Sequence, residues 1–250
     1  MLCALRNLLP FLLLVPLTTL AEPLHVVTEE LPPYSFSRDG HIEGLSTDIV
    51  RATLEQANID YDIEMTTWAK AYSSARFKPY TLIYSVAKTP QRLTHFRWIG
   101  EIVSFESCLF SLQENTHLRL NTLKDALNYR VGATFGGGGE QALINQGFEL
   151  GKNLIRSPSE RALKTALQNG SIDFWIALKP TAMGESSEDK LADQPAFRQH
   201  ICLPPGEGLY MALSKNTPNE IGNKLIQSLQ SIKASGEYQT ILNRYQSDQI

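Results

Sequence analysis

Short apolar segments alternate with helical stripes along nearly the whole chain, and that alternation limits the fold more than any single motif does. Segments 24–28, 61–65, 81–86, 108–112, 130–134, 174–178 and 209–213 read as strands, rich in β-branched and aromatic residues. Between them, 45–53, 68–75, 120–127 and 159–167 read as helices. Ser46 or Thr47 is placed to cap the first of these, with Leu45, Ile49 and Thr53 on one face and Asp48 near its positive end. Gly170 stops the fourth, since glycine takes left-handed backbone at little cost. Ile221, Leu225, Leu229 and Ile232 recur at helical spacing, and Gly236 separates that stripe from a last short helix carrying Tyr238, Ile241 and Tyr245. Strands separated by helices pack as α/β layers, and these stripes read as core.

The N-terminus speaks to location. Arg6 precedes an apolar run at 8–15, followed by Thr18-Thr19-Leu20-Ala21 and a polar Glu22, the three-part pattern of a secretory signal. Cleavage is expected after Ala21, leaving 1–21 as signal peptide and a soluble, monomeric protein in the periplasm; the alternative is a retained anchor. The apolar run falls short of the ~20 residues that span a bilayer, and Cys3 lies ahead of it rather than at a lipid-bearing mature terminus. Residues 22–250 suffice for one large domain or two modest ones. With 23 Lys and Arg against 26 Asp and Glu, interspersed, there is no basic field for nucleic acid or an anionic membrane. Cys108 and Cys202 remain after export, and either a disulfide or two buried thiols fits their spacing.

The chemistry concentrates after the third strand. Tyr84-Ser85-Val86-Ala87-Lys88-Thr89-Pro90-Gln91-Arg92, with Phe96-Arg97-Trp98 close behind, puts small hydrogen-bonding residues and one arginine at a strand end. A guanidinium fork matches a carboxylate bidentately, and released backbone N–H groups can complete the cage. The competing reading for Arg92 is an internal ion pair. Gly136-Gly137-Gly138-Gly139 follows another strand and opens a helix, where N–H donors and the helix dipole can receive an anion, or where the chain merely turns. Glu140 occupies the place a phosphate loop gives to Lys-Ser or Lys-Thr, so this is not a Walker loop and nucleotide binding is not expected. There is no Gly-x-Ser-x-Gly or His-Glu-x-x-His, and His25, His41, His95, His117 and His200 show no metal spacing. No cofactor or metal is expected, and a binding protein is favoured over an enzyme. His95 alone lies near the arginine loop.

Taken in order, these elements resemble the bacterial extracellular solute-binding proteins of family 3, the periplasmic receptors of polar amino-acid ABC transporters. The resemblance rests on Pro32-Pro33-Tyr34 with Gly44 and Asp48, Trp68 opening a short helix, Thr89-Pro90-Gln91-Arg92 with Phe96, Val131-Gly132 before the glycine turn, Ala166-Leu167 with Gly170 and Asp173, and the ending from Gly236 to Tyr245. It covers Glu22 to the C-terminus. It implies a type II periplasmic-binding fold: two α/β lobes joined by two crossing segments, closing over a cleft. Lobe one would be 22–102 plus 206–250 and lobe two 103–205, with crossovers near Val103 and Pro205.

By the same resemblance, Arg92 clamps a ligand α-carboxylate, with Ser85 and Ala87 beside it. Trp68, Tyr34, Glu29 and Leu31 form the first-lobe wall, and Gly137 and Gly138 offer N–H groups from the second lobe. One departure stands out. The family's acidic acceptor for the α-ammonium is expected a few residues after Asp173, and here the strand ends in Leu178 and Lys179. Glu29, Glu30 or Glu140 would have to substitute, or the ligand is an organic acid or another small anion. Trp175 either lines the second lobe or is core. The resemblance implies delivery of a small polar solute to an ABC permease. The alternatives are a sensory protein that presents its closed form to a membrane receptor, and an enzyme like the cyclohexadienyl dehydratases, using Glu29, Glu30, Glu140 or His95.

Overall fold

A computed structural model describes residues 22–183, 197–204 and 208–247. The signal-peptide reading and the crossover at Pro205 fall outside these residues. In chain order, β1 (Leu24–Thr28) leads to a hairpin of β2 (Phe36–Arg38) and β3 (His41–Glu43), then α1 (Leu45–Gln56), β4 (Tyr61–Met65), α2 (Trp68–Phe77), β5 (Thr81–Ala87) and β6 (Phe96–Val103). The chain continues through β7 (Ser107–Leu112), β8 (Val131–Thr134), α3 (Gly138–Asn145), β9 (Leu154–Ser157), α4 (Glu160–Gln168), β10 (Phe174–Leu178) and α5 (Lys179–Met183). It ends with β11 (Phe197–Cys202), β12 (Leu209–Ser214), α6 (Asn219–Ser235) and α7 (Glu237–Ser247).

These strands make two five-stranded sheets, in the orders β4-β1-β5-β12-β6 and β11-β7-β10-β8-β9. The parallel strands β1 and β5 are buried on both faces, which is why they read as continuous apolar runs rather than alternations. On one face of the first sheet Ile49 and Leu54 of α1 meet Leu225, Leu229 and Ile232 of α6. On the other, Trp68, Ala71 and Ala75 of α2 pack on Val27, Ile83 and Ala212. The second sheet has its own two cores, around Leu143 with Phe174 and around Leu163 with Trp175. The chain passes between sheets after β6 and returns between β11 and β12. Cys108 and Cys202, opposite each other on β7 and β11, are joined by a disulfide.

Local chemistry departs from the sequence reading at identifiable places. The N-cap of α1 is Gly44, not Ser46 or Thr47; its φ is 122° and a Cβ there would overlap the Tyr34 carbonyl. Thr47 Oγ1 bonds the Glu43 carbonyl and the Tyr84 hydroxyl instead, at 3.0 and 2.9 Å. The helix read at 120–127 is a 3₁₀ turn, Leu123–Asn128, because a Thr122–Asp125 capping box starts it late. The hairpin strands β2 and β3 and strands β6, β9 and β11 go beyond the sequence reading: β6 buries roughly every third residue, and β11 is a half-buried edge strand bearing Arg198 and His200.

Candidate functional site

The carboxyl ends of parallel strands from both sheets face one cavity of about 340 Å³, the place where open α/β sheets leave room for ligands. Glu29 follows β1, Ser85 and Ala87 end β5, Thr134 ends β8, and Ala177 and Leu178 end β10. Phe105, Leu203 and Pro204, from the two crossing segments, close its sides.

Arg92 is only 5% exposed. Its Nη1 donates to the Ala87 carbonyl at 2.9 Å and its Nη2 to the Gly136 carbonyl at 2.8 Å. The guanidinium lies over the Trp68 ring at 4.7 Å and the Tyr72 ring at 5.5 Å. Its hydrogen bonds therefore go to backbone carbonyls rather than to the carboxylate of an internal ion pair, and three of its five N–H groups are not used by them. Burial lowers its pKa, opposed by Tyr72 and Glu29.

Ser85 and Thr89 line the same cavity with buried hydroxyls that have no hydrogen-bond partner. Ser85 also holds φ at 58°, left-handed backbone that a non-glycine residue adopts at a cost. An unsatisfied hydroxyl on a strained residue is expensive unless something arrives to bond it.

The glycine turn crosses from the other sheet to meet this arginine. The Gly136 carbonyl accepts from Trp68 Nε1 at 2.8 Å as well as from Arg92, so two first-sheet side chains converge on one second-sheet oxygen. Glu140 is buried and accepts from the Gly136 N–H at 2.8 Å and from Arg156 Nε. It fixes the turn and is not among the cavity-lining residues. The Gly137 N–H bonds the Thr134 carbonyl at 2.9 Å. The N–H groups of Gly138, Gly139 and Glu140, in the first turn of α3, have no intrahelical partner, and of these residues Gly138 and Gly139 line the cavity. A Cβ on Gly138 would stand 3.0 Å from the Ala87 Cβ, so the turn packs tightly on the end of β5.

Two carboxyl groups share the cavity with Arg92. Glu160 starts α4 behind its N-cap Ser159, and its two oxygens accept from Thr134 Oγ1 at 2.5 Å and Trp175 Nε1 at 2.7 Å. Burial raises its pKa, against the Thr134 and Trp175 bonds and the charge of Lys164. Glu29 is pushed up to about 8, by burial first and then by the Glu160 charge, with Arg92 pulling the other way.

Of the sequence-derived residues, Glu29, Leu31, Trp68, Ser85, Ala87, Arg92, Gly137 and Gly138 line the cavity. Tyr34 does not: it is 3% exposed within the core under α1, and its carbonyl accepts from the Ser46 and Thr47 N–H groups. His95 is also outside, bonded through Nδ1 to the Tyr72 hydroxyl at 2.5 Å. Glu30 is exposed and accepts from the Ser37 N–H. Trp175 is core, and Lys179 lies outside the cavity with its Nζ 4.0 Å from Glu106. Sequence reasoning missed Glu160 and Thr134, and named Thr89 only as part of the stretch that leads into Arg92. Glu160 looks locally like an ordinary helix-start glutamate, and only the fold of the second sheet turns it inward.

Two sheets joined by two crossings, with a cavity between their strand ends, define a two-lobed binding fold. The family model described as bacterial extracellular solute-binding proteins, family 3, matches residues 24–248, and the chain belongs to that family. No curated protein sequence matches it significantly. Among solved structures it is similar to a histidine kinase sensor domain with similarity to periplasmic binding proteins, with TM-score 0.79, 16% identity, and coverage of 89% of this chain and 95% of that one. It is also similar to the arginine-, lysine-, histidine-binding protein ArtJ from Geobacillus stearothermophilus (TM-score 0.77, 17% identity, 90% and 95% covered). A third is an amino acid ABC transporter substrate-binding protein from Streptococcus pneumoniae bound to L-arginine (TM-score 0.74, 19% identity, 90% and 94% covered). These likenesses establish the type II periplasmic-binding fold.

Proposed function

We propose that this protein is a monomeric, exported receptor that captures a small polar solute bearing a carboxylate, an amino acid or a relative, and presents it to an ABC transporter. The lobes would be 22–102 with 206–250, and 103–205. The carrying observation is the convergence in one cavity of buried Arg92 with the unpartnered hydroxyls of Ser85 and Thr89. A carboxylate placed there gains charge-assisted hydrogen bonds worth roughly 1.5–3 kcal/mol each. Ala87, Gly137 and Gly138 frame that end, while Glu29, Leu31 and Trp68 form the wall against the rest of the solute. The relatives named for arginine, lysine and histidine make those amino acids the first compounds to try.

Thermal-shift titration of the mature protein with amino acids and with small organic acids tests the reading. Stabilisation by one carboxylate-bearing class supports it, and no response to either class counts against it. A sensory role is the second reading, favoured by the likeness to a kinase sensor domain; a neighbouring kinase gene instead of a permease gene would support it. An enzymatic role has one feature behind it, the Glu29 carboxyl in the cavity wall pushed up to about 8 by burial, the direction a general acid needs. Product formation from prephenate or arogenate would establish that class.

A further inference from the structure

The strand orders give the cavity two unlike sides. Both chain crossings join the β12–β6 side of the first sheet to the β7–β11 side of the second. There the lining is Phe105, Leu178, Leu203, Pro204 and Leu209, with Ser107 the polar residue among them. Phe105 and Leu178 pack against the core of the first sheet and Leu203 against a core of the second, so this wall continues the apolar interior of both. Its backbone is already paired: the Leu203 N–H donates to the Ser107 carbonyl at 2.8 Å and the Lys179 N–H to the Glu106 carbonyl at 3.0 Å. Glu101 and Glu106, the acids flanking the first crossing, are not in the lining. Lys88 is, at the end of β5 where Ala87 pairs with Leu209, with its Nζ 5.1 Å from the centre of the Tyr210 ring. The other side carries acids. Glu29 follows β1 and Glu160 opens α4 after β9, both away from the crossings. Ser35 Oγ donates to the main-chain carbonyl of Glu29 at 2.9 Å, and among the described residues no side chain donates to its carboxyl. Glu160 takes hydrogen bonds from Thr134 and Trp175, two of the roughly four a carboxylate can accept. Arg92 attracts Glu29 and Lys164 attracts Glu160, so what these acids offer a solute is acceptor positions rather than uncompensated charge. Arg92, Ser85 and Thr89 follow β5, between the two sides.

We propose that the solute is an α-amino acid with an apolar side chain, its carboxylate on Arg92, Ser85 and Thr89, its ammonium towards Glu29 and Glu160, and its side chain against Phe105, Leu178, Leu203 and Leu209. The inference rests on the binding reading and narrows it to one solute class. Three groups on one carbon match three kinds of surface around Arg92. A second cation, as in arginine or lysine, has no such match. Sent to the apolar wall it gives up its water beside Lys88 with no acid in return, and sent to the acids it leaves the α-ammonium to face that wall. A carboxylate side chain meets either apolar surface or the two acids. A carboxylic acid without the ammonium forgoes the charge-assisted bonds that Glu29 and Glu160 can accept. An apolar side chain gains about fourfold in affinity for each methylene buried on the wall.

Calorimetric titration of the protein from Glu22 onward, unfolded with its disulfide intact and refolded to strip the cleft, tests the proposal. The probes are L-leucine, L-phenylalanine, L-alanine, L-arginine, L-glutamate and 4-methylpentanoate, which is leucine without its ammonium. L-leucine or L-phenylalanine should bind tightest. L-leucine should exceed L-alanine by about 50-fold, on three methylene equivalents, and each of L-arginine, L-glutamate and 4-methylpentanoate by at least about tenfold. Glu29→Gln should narrow the gap between L-leucine and 4-methylpentanoate. Leu203→Asp, which puts an acid into the wall, should weaken L-leucine and strengthen L-arginine; if that variant does not fold, the panel on the unmodified protein decides by itself. Tightest binding of L-arginine or L-glutamate, L-alanine equal to L-leucine, or 4-methylpentanoate equal to L-leucine would overturn the proposal and leave the binding reading standing. No binding by any of the six would count against the binding reading as well.

Discussion

Replacing Trp68 by Phe tests whether the cleft is held shut by its own side chains. Trp68 Nε1 donates to the Gly136 carbonyl across the two sheets at 2.8 Å, and the indole face lies 4.7 Å from the Arg92 guanidinium. Phenylalanine keeps most of the packing against Val27, Ala71 and Ile83. It loses the N–H, worth about 0.5–1.5 kcal/mol net, and weakens the cation–π contact by roughly 0.5 kcal/mol. The Gly136 carbonyl still accepts from Arg92, so no buried oxygen is orphaned and the fold should survive. Because Trp68 and Arg92 both belong to the first sheet, only the N–H bond is confined to the closed state, and losing its roughly 0.5–1.5 kcal/mol lowers the closed-to-open ratio about 2- to 13-fold. Small-angle scattering, with fluorescence transfer between dyes on the two lobes, reads the opening. A solute titration reads the matching loss of affinity. An unchanged inter-lobe distance together with an unchanged affinity would refute the idea that this bond couples the sheets.

Other perturbations separate site from scaffold. Ser85→Ala removes a buried hydroxyl that has no partner, so melting should stay level or improve by up to about 1 kcal/mol while solute affinity falls about tenfold. A clear drop in melting temperature would mean the hydroxyl serves the fold. Because Glu29 holds a proton in the native state that the unfolded chain has lost, stability of the empty protein should decline as pH rises from 4.5 towards 8, and Glu29→Gln should flatten that decline in denaturant melts. Reducing the Cys108–Cys202 disulfide, which closes a separation of 94 residues, should cost roughly 4–5 kcal/mol on loop entropy alone, with hydrogen exchange rising first in β7 and β11.

The parallel strands and their helices were legible because burial on both faces writes a continuous apolar run, as in β5 and β10. Edge and irregular strands were not. β11 lies at the margin of its sheet with polar residues along it, and the pairing of β6 with β12 shifts register twice. At the site, Arg92 and Ser85 stood out because they cluster near one strand end, and Trp68 because it matches the family pattern. Tyr34 was misplaced since an aromatic in a loop looks the same whether it faces solute or core; the close approach of Gly44 to its backbone decides the matter. Glu160 was invisible for the opposite reason. Its role depends on Thr134 and Trp175, which lie 26 and 15 residues away and meet it only in the folded second sheet.

Native mass spectrometry of the protein from Glu22 onward is the most direct test of the central claim, as purified and after unfolding and refolding to strip the cleft. Amino acids and small organic acids are then added back, with Arg92→Ala run in parallel. The account expects a small mass that returns with one carboxylate-bearing class and is lost in folded Arg92→Ala, since two charge-assisted bonds from Arg92 carry about 3–6 kcal/mol. A cleft that ignores every such compound, or a folded Arg92→Ala that binds as well as the unmodified protein, would contradict it.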